Sequence, residues 1–557
     1  MRLCNFLCYL FIPIIAVIGF TIPKSPCELC LFSLKNIDKF ITTNEAQNFF
    51  KTILIKSCKA FPETAMKIVG EENSCQGKID CDILCQGMIN ENFDELLDIL
   101  TKTKLSPEEI CGNIDLCVKN HTQHITIPNN TLIKSNTSNH RNEKHFNVWN
   151  LSQGVGKILH ITDIHLDLFY KENYNINCGL PICCRPDSTK ISNKEEQLSG
   201  KYGSPYGKCD IPLSLLKGTL EFIKNNIEVD AIIYTGDGPA HDIWAQSRHY
   251  NFNINRAITN LFMYNFPNTS VTPIIGNHDT FPINQLDDNN ISGWLYNSLG
   301  DIWSNWLSDD SIKTFKYGGF YTQLIKPGLR VITLNTNVYS KENWWQSLYY
   351  HSDFIHQFAW FKDVLEQSRN NNEKVIILAH HYPSSWFESQ YVEYYKQLLI
   401  KYKDIITITL YGHEHNGPSL RMVYDDNGPQ MFGFVGGSLT TYSELNPAFT
   451  VYTYNRTNNE IIDLENWWTD LVETPNEINW KKRSNFIDLY GLKRFDLNNL
   501  NSFVSRFHQE PDMFKIYKTE YYRNVSQTNG GKNKTELYCE IISLSKEEYK
   551  ACLNKYI

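Results

Sequence analysis

The sequence Ile158-Leu-His-Ile-Thr-Asp163-Ile-His165 is a short apolar run that ends in a carboxylate and an imidazole. A run of this kind predicts a buried strand, with the two polar residues in the loop that follows it. Four other blocks repeat the arrangement: Ile232-Ile-Tyr-Thr-Gly236-Asp237, Ile274-Ile-Gly-Asn277-His278-Asp279, Val375-Ile-Ile-Leu-Ala-His380-His381 and Leu410-Tyr-Gly-His413-Glu-His415. Because α/β folds gather the loops at the carboxyl ends of their strands, the five blocks predict one shared site.

Short apolar runs alternate with helical segments across residues 156–460, which predicts an α/β catalytic domain with layered central β-sheets flanked by helices. The predicted strands are residues 158–162, 231–235, 273–275, 331–335, 375–379, 405–411 and 431–435. Residues 479–485, 497–507 and 546–556 are predicted helices without ligand clusters. We therefore expect residues 461–557 to form a C-terminal helical region.

The first 22 residues begin with Met1-Arg2 and continue as an apolar run, which is typical of a signal peptide, with a signal-anchor helix as the alternative. Of 16 cysteines, those outside this segment are even in number and could all pair in an oxidising compartment. Nine N-x-S/T sequons point to the same compartment. The net charge of −8 provides no basic field for nucleic acid. We expect a secreted or lysosomal glycoprotein that does not bind nucleic acid.

Residues 23–120 hold eight cysteines and two apolar-periodic segments, 45–59 and 90–103, which predict a small disulfide-linked helical domain. The blocks Cys27-Glu-Leu-Cys30 and Pro107-Glu-Glu-Ile-Cys111 resemble the saposin B-type domain, a lipid-contacting module. An unrelated cysteine-rich module is the alternative. The resemblance implies three pairs, Cys27–Cys117, Cys30–Cys111 and Cys58–Cys85, and leaves Cys75 and Cys81 as extra cysteines. Residues 121–155 are rich in Asn, Thr and Ser and are interpreted as a linker.

The polar residues after the strands fit a pair of cations that clamps a phosphoester and lowers the pKa of a water nucleophile. Asp237 is the natural bridge between the ions. Asp163, His165 and His415 would complete one subsite, and Asn277, His380 and His413 the other. His381 is the alternative to His380 as a ligand. We prefer His380 because it directly follows the strand. Nitrogen-rich ligands favour zinc over magnesium or calcium.

The order D-x-H, G-D, G-N-H-[DE], H and G-H-x-H resembles the calcineurin-like metallophosphoesterase superfamily. Two further blocks resemble the acid sphingomyelinase family: Asp237-Gly-Pro-Ala-His241-Asp-Ile-Trp244 and Gly437-Ser-Leu-Thr-Thr-Tyr442-Ser-Glu-Leu-Asn-Pro447. That resemblance implies the disulfides Cys178–Cys183, Cys184–Cys209 and Cys539–Cys552. It also implies a monomer with two Zn²⁺ ions that hydrolyses sphingomyelin to ceramide and phosphocholine at a membrane or lipoprotein surface.

Histidines near the ligands are candidates for the chemistry that metals do not supply. His278 would stabilise the phosphoryl oxygens or protonate the leaving group, with His241 as the second candidate, and an acidic pH would keep both protonated. Tyr442 could face a quaternary ammonium headgroup, although a packing role is the alternative. Two other functions stay open: a secreted nucleotide or general phosphodiesterase, and a non-catalytic lipid-binding protein.

Overall fold

The computed structural model describes residues 31, 34–35, 42–60, 78–103, 106–108, 110, 154–186, 198–287, 291–346, 353–383, 387, 389–527 and 530–556. The predicted signal segment 1–22 and nearly all of the linker lie outside these residues. So do Cys27, Cys30, Cys75, Cys111 and Cys117, together with the side chain of Cys81.

The described part of the N-terminal module is a pair of helices, α1 (Asn44–Ala60) and α2 (Lys78–Lys102). A disulfide joins Cys58 of α1 to Cys85 of α2, which is the inner pair implied by the saposin resemblance. The rings of Phe50 and Phe93 pack across the two helices with their centroids 5.9 Å apart. The helices therefore bury one apolar face against each other and are linked covalently.

Two six-stranded sheets form the catalytic domain. In chain order the strands are β1 (Val155–Ile161), β2 (Ala231–Tyr234), β3 (Ser270–Pro273), β4 (Tyr321–Lys326), β5 (Leu329–Leu334), β6 (Lys374–Ala379), β7 (Ile406–Tyr411), β8 (Ser419–Asp425), β9 (Gly428–Val435), β10 (Ala448–Asn455), β11 (Ile461–Trp468) and β12 (Lys481–Asn485). The first sheet has the order β12-β11-β10-β1-β2-β3, and the second has the order β4-β5-β6-β7-β9-β8.

The central strands are parallel in both sheets: β1, β2 and β3 in the first, and β5, β6, β7 and β9 in the second. Parallel strands end at the same edge of their sheet, so the loops after β1, β2, β3, β6 and β7 can meet. The predicted layered α/β fold class is confirmed.

Alternate residues of each strand face different cores. Ile158 and Ile233 of the first sheet join Val331 and Ile376 of the second in one apolar cluster. Their chain neighbours, such as Leu159, belong to a second cluster shared with helices. Each sheet is thus packed on both faces, which explains why its strands are almost continuously apolar.

The helices of the catalytic domain are α3 (Leu213–Asn226), α4 (Arg248–Asn265), α5 (Gly293–Ile302), α6 (Asp309–Gly318), α7 (Gln357–Asn370) and α8 (Ser389–Lys401). After the last strand follow α9 (Phe486–Tyr490), α10 (Leu497–Gln509), α11 (Pro511–Tyr521), α12 (Lys534–Ile542) and α13 (Lys546–Tyr556). A disulfide between Cys539 and Cys552 joins α12 to α13, which is a pair implied by the family resemblance. Within the described residues, no helix is long and apolar enough to cross a membrane.

The domain boundary predicted at residue 460 is wrong, because the first sheet continues through β11 and β12 to Asn485. The predicted helix at residues 479–485 is wrong for the same reason. β12 is an edge strand, where lysines facing solvent are typical and obscure the strand signal. In β11 the buried carboxylate of Glu465 pairs with Lys157 of β1 at 3.2 Å. This ion pair allows the sheet to contain a charged residue that, from the sequence, would be expected at the surface.

Candidate metal centre

All seven predicted ligands lie in the loops that follow the central parallel strands. They are Asp163 and His165 after β1, Asp237 after β2, Asn277 after β3, His380 after β6, and His413 and His415 after β7. Six of the seven are buried, and His413 is partly buried. The two sheets thus bring residues from the whole length of the domain to one place.

One group of donors consists of Asp163, His165 and His415. Their potential ligand atoms all lie within 4.8 Å of one another, and the Nε2 atoms of His165 and His415 are 3.1 Å apart. This is the first subsite expected from the sequence.

A second group converges on the amide oxygen of Asn277. Its Oδ1 lies 2.9 Å from Nε2 of His380 and 3.0 Å from Nδ1 of His413. The sequence expected these three residues to share the other subsite, and the structure brings them together.

Asp237 lies between the two groups. Its Oδ2 is 3.5 Å from Nε2 of His165 and 3.1 Å from Nε2 of His380, and it makes no hydrogen bond within the described part of the chain. Its Oδ1 accepts a hydrogen bond from the backbone N–H of His278 at 2.8 Å. A buried carboxylate oxygen without a donor is costly unless a cation compensates it. The residues present therefore fit a pair of divalent metal ions bridged by Asp237.

Backbone carbonyls fix the orientation of two ligand rings. Nδ1 of His165 contacts the carbonyl of Pro239 at 2.8 Å, and Nδ1 of His380 contacts the carbonyl of Thr235 at 2.7 Å. In the neutral form of each ring Nδ1–H therefore donates, and Nε2 has a lone pair directed into the site. This is the arrangement that metal-binding histidines commonly require.

The electrostatics of the centre also favour cations. Burial lowers the pKa of His413 to about 3 and holds those of His165 and His415 well below the usual range, so these rings are neutral donors. Burial alone would raise the pKa of Asp237, but the positive charge of His380 holds it well below its usual range, and Asp237 in turn raises the pKa of His380 to about 9 although burial opposes this. Anionic carboxylate and neutral imidazole are the forms that bind metal, so His380 would release its proton when an ion binds.

Most of the ligands have a backbone conformation that residues other than glycine rarely adopt. Five of the seven have a positive φ: Asp163 (49°), His165 (45°), Asp237 (61°), His413 (70°) and His415 (57°). Each such residue costs about 1–3 kcal/mol. Neighbouring loops also need glycine, since a Cβ on Gly276 would lie 2.1 Å from Oδ1 of Asp237. The site is strained locally and is stabilised by the surrounding sheets.

The two candidate catalytic histidines lie beside the first subsite. The ring of His241 stacks on His165 with centroids 4.1 Å apart, and His278 makes edge contacts with both rings at 4.7 and 4.5 Å. Burial lowers the pKa of His278 to about 4. Protonation at mildly acidic pH, expected from the sequence for both residues, does not fit His278.

Asp210 is a member of the site that the sequence did not indicate. It contacts Nδ1 of His241 at 2.9 Å and accepts the backbone N–H of His241 at 2.7 Å and the hydroxyl of Thr440 at 2.9 Å. Its neighbour Cys209 is joined to Cys184, and Cys178 to Cys183, which are the pairs implied by the family resemblance. Asp210 follows a cysteine and belongs to none of the motifs, so the sequence did not indicate that it is part of the site.

Tyr442 lies parallel to His241, with ring centroids 3.9 Å apart and an angle of 6°. It is buried, and its hydroxyl donates to the carbonyl of Pro181 at 2.8 Å. One face of the ring is thus covered by His241, and the contact with a substrate headgroup stays a prediction.

Two other residues outside the predicted set organise the loops. Asp279 accepts backbone N–H groups of Gly276 (2.6 Å) and Asp237 (3.1 Å), which ties the loops after β2 and β3 together. Arg523, between α11 and α12, is completely buried and donates to the carbonyls of His415 and Ser438 at 2.8 Å each. Asp279 belongs to the Gly-Asn-His-Asp motif and could have been suspected, whereas nothing around Arg523 marked it.

Comparison with known proteins places this centre in a family. The calcineurin-like phosphoesterase family matches residues 156–417. Sphingomyelin phosphodiesterase B of Dictyostelium discoideum is 27% identical over 97% of this chain and 83% of its own. Sphingomyelin phosphodiesterase of Bos taurus is 28% identical over 80% of this chain and 72% of its own. The cyclic GMP-AMP phosphodiesterase SMPDL3A of Bos taurus is 32% identical over 72% of this chain and 91% of its own.

The matches extend across the strands and loops that carry the candidate metal centre, and their identity is high enough over long alignments to indicate common descent. The family resemblance expected from the sequence is confirmed, while the saposin-like character of the N-terminal module stays a prediction. The chain belongs to the calcineurin-like phosphoesterase family, in the group of sphingomyelin phosphodiesterase homologues.

Proposed function

We propose that the protein hydrolyses sphingomyelin to ceramide and phosphocholine with two zinc ions held by Asp163, His165, Asp237, Asn277, His380, His413 and His415. The observation that carries this proposal is the buried Oδ2 of Asp237, which lies between the nitrogen donors of the two groups, 3.5 Å from His165 and 3.1 Å from His380. Zinc is favoured because four of the seven donors are imidazoles. When bound, the ions would activate water and neutralise the phosphoryl charge.

The extent of similarity supports a lipid substrate. The alignment with Sphingomyelin phosphodiesterase B covers 97% of this chain and so includes most of the N-terminal module, whereas the alignment with SMPDL3A covers 72%. A water-soluble substrate does not need a module that engages lipid. A cyclic dinucleotide is the second candidate substrate, because a protein named for that activity is 32% identical to this chain.

The protein's own residues account for proton transfer. Hydrolysis breaks the bond between phosphorus and the ceramide oxygen, which must then receive a proton. His241 is the suitable donor, because Asp210 orients its ring and stabilises the imidazolium form through a contact of 2.9 Å at Nδ1. His278, which burial keeps neutral, would instead contact the phosphoryl oxygens. This assignment reverses the order of preference drawn from the sequence.

An exposed apolar rim beside the site fits a lipid surface. Leu168 and Phe169, three and four residues after the ligand His165, are 47% and 53% exposed. The segment is rigid at its base, because Arg185 pairs with Asp167 at 2.8 Å and lies over the ring of Phe169 at 5.3 Å. A membrane or lipoprotein surface would cover these side chains while the headgroup reaches the metal centre.

The proposal is tested by comparing three substrates: sphingomyelin in vesicles, a soluble phosphodiester such as bis(p-nitrophenyl) phosphate, and cyclic GMP-AMP. We expect phosphocholine release from vesicles with the highest kcat/KM, and no comparable rate on the cyclic dinucleotide. The reverse preference would reject the lipid assignment. Metal analysis should give two zinc ions per chain, and sedimentation should give a monomer.

A surface variant separates binding to lipid from chemistry. Phe169→Ser should lower the rate on vesicles several-fold and leave the rate on the soluble ester unchanged, because only the vesicle contacts the rim. Tyr264→Ser is the matched control, since Tyr264 is 77% exposed on α4 and lies outside the metal centre. Equal loss on both substrates would show that Phe169 supports the fold and does not contact lipid.

A further inference from the structure

A third imidazole lies beside the second metal subsite and is not required by the family pattern. His381 directly follows His380, and its ring makes an edge contact with His413 at a centroid distance of 4.0 Å. The rings of His380 and His381 are 5.1 Å apart. One potential ligand atom from each of His380, His381 and His413 lies within 4.8 Å of the others. The three rings thus form a set of nitrogen donors that could hold one ion.

The ring of His381 has an atom that needs a partner. The side chain is 2% exposed, and its Nδ1 makes no hydrogen bond within the described residues. Its backbone N–H donates to the hydroxyl of Thr336 at 3.1 Å, which fixes the position of the residue. A buried ring nitrogen without a partner is destabilising unless something else satisfies it, and a metal ion would do so.

A purely structural histidine looks different in this protein. His160, within β1, is also fully buried with an unpaired Nδ1, but its Nε2 bonds to the hydroxyl of Thr235 at 2.9 Å. It belongs to none of the donor groups found among the described residues. His381 differs because it lies against two ligand rings.

We propose that His381 is an additional nitrogen donor of the metal subsite formed by Asp237, Asn277, His380 and His413. This inference rests on the proposed metal centre but not on the identity of the substrate. The two subsites would then be unequal, because the second would have three imidazoles where the first has two. Zinc accepts five ligands as well as four, so the second ion could hold all five donors while the first ion, with Asp163, His165, Asp237 and His415, would keep a position for water.

The test uses the full-length protein loaded with Co²⁺, whose visible absorption reports the number and type of its ligands. His381→Leu should weaken the binding of one of the two Co²⁺ ions at least tenfold and change its visible spectrum. His160→Leu is the control: it also removes a buried imidazole, and it should leave both ions and both spectra unchanged. Unaltered Co²⁺ binding in His381→Leu, accompanied by slower hydrolysis, would overturn the proposal and assign His381 to the substrate.

A second variant gives a signal that appears only if the residue reaches the ion. In His381→Cys the thiolate should coordinate Co²⁺ and produce a sulfur-to-cobalt charge-transfer band that the parent protein lacks. Absence of this band in a folded protein with both ions bound counts against the proposal. Because these readouts need no substrate, they hold even if the protein prefers a phosphodiester other than sphingomyelin.

Discussion

Replacing Asp210 with Asn tests whether the carboxylate behind His241 controls proton transfer. Asp210 accepts the backbone N–H of His241 and the hydroxyl of Thr440, so one amide oxygen in the variant cannot serve all of its present donors. The variant has the same shape but lacks the charge that stabilises protonated His241. A hydrogen bond to a charged group contributes about 1.5–3 kcal/mol. At 1.36 kcal/mol for each tenfold change, kcat should fall roughly 10- to 150-fold.

The assay is phosphocholine release from sphingomyelin vesicles, measured across pH with the metal content determined in parallel. Because protonated His241 is less stable without the carboxylate, the pH above which kcat declines should move downward. Thr440→Val is the control, since it removes one hydrogen bond to Asp210 but keeps the charge, and it should leave the pH profile in place. An Asp210→Asn enzyme with both metals bound and an unchanged kcat and pH profile would refute the reasoning.

Three other changes have defined outcomes. Asp237→Asn should lower kcat at least about a hundredfold and reduce the metal content while the thermal transition is retained. Arg523→Met should lower the free energy of unfolding by about 2–4 kcal/mol in a denaturant titration, because buried carbonyls lose their donors. Burial raises the pKa of Glu91, which accepts the backbone N–H of Gln246, to about 8 from its ordinary 4.5. The folded state therefore binds the extra proton, so stability should fall as pH rises from 4.5 to 8, and Glu91→Gln should flatten that dependence in thermal melts.

The candidate ligands could be predicted because each follows an apolar run, and the chemistry of each motif is local in sequence. Their backbone conformations could not be predicted. Nothing in the sequence Asp163-Ile-His165 indicates two positive φ angles, which the surrounding loops impose. Asp210 was missed because its partner His241 is 31 residues away and the contact depends on how two loops meet.

The end of the first sheet was missed for a different physical reason. β11 carries the buried carboxylate of Glu465, which pairs with Lys157 of the non-adjacent strand β1, and β12 is an edge strand rich in lysine. All five residues of β12 are polar, so hydrophobic periodicity gives no strand signal there. Pairing with a neighbouring strand, which the sequence does not encode locally, determines the structure there.

The contact of Arg523 with the carbonyl of His415 has a consequence for the timing of synthesis. The two residues are 108 positions apart, so a ribosome adding 5–20 residues per second needs roughly 5 to 20 s to travel between them. During that interval the nascent polypeptide already contains every candidate metal ligand but lacks the guanidinium that holds the last loop. A truncated product that ends before Arg523 would lack the donor for the carbonyl of His415, so we expect the loop that carries this ligand to become fixed only after the C-terminal helices have been synthesised.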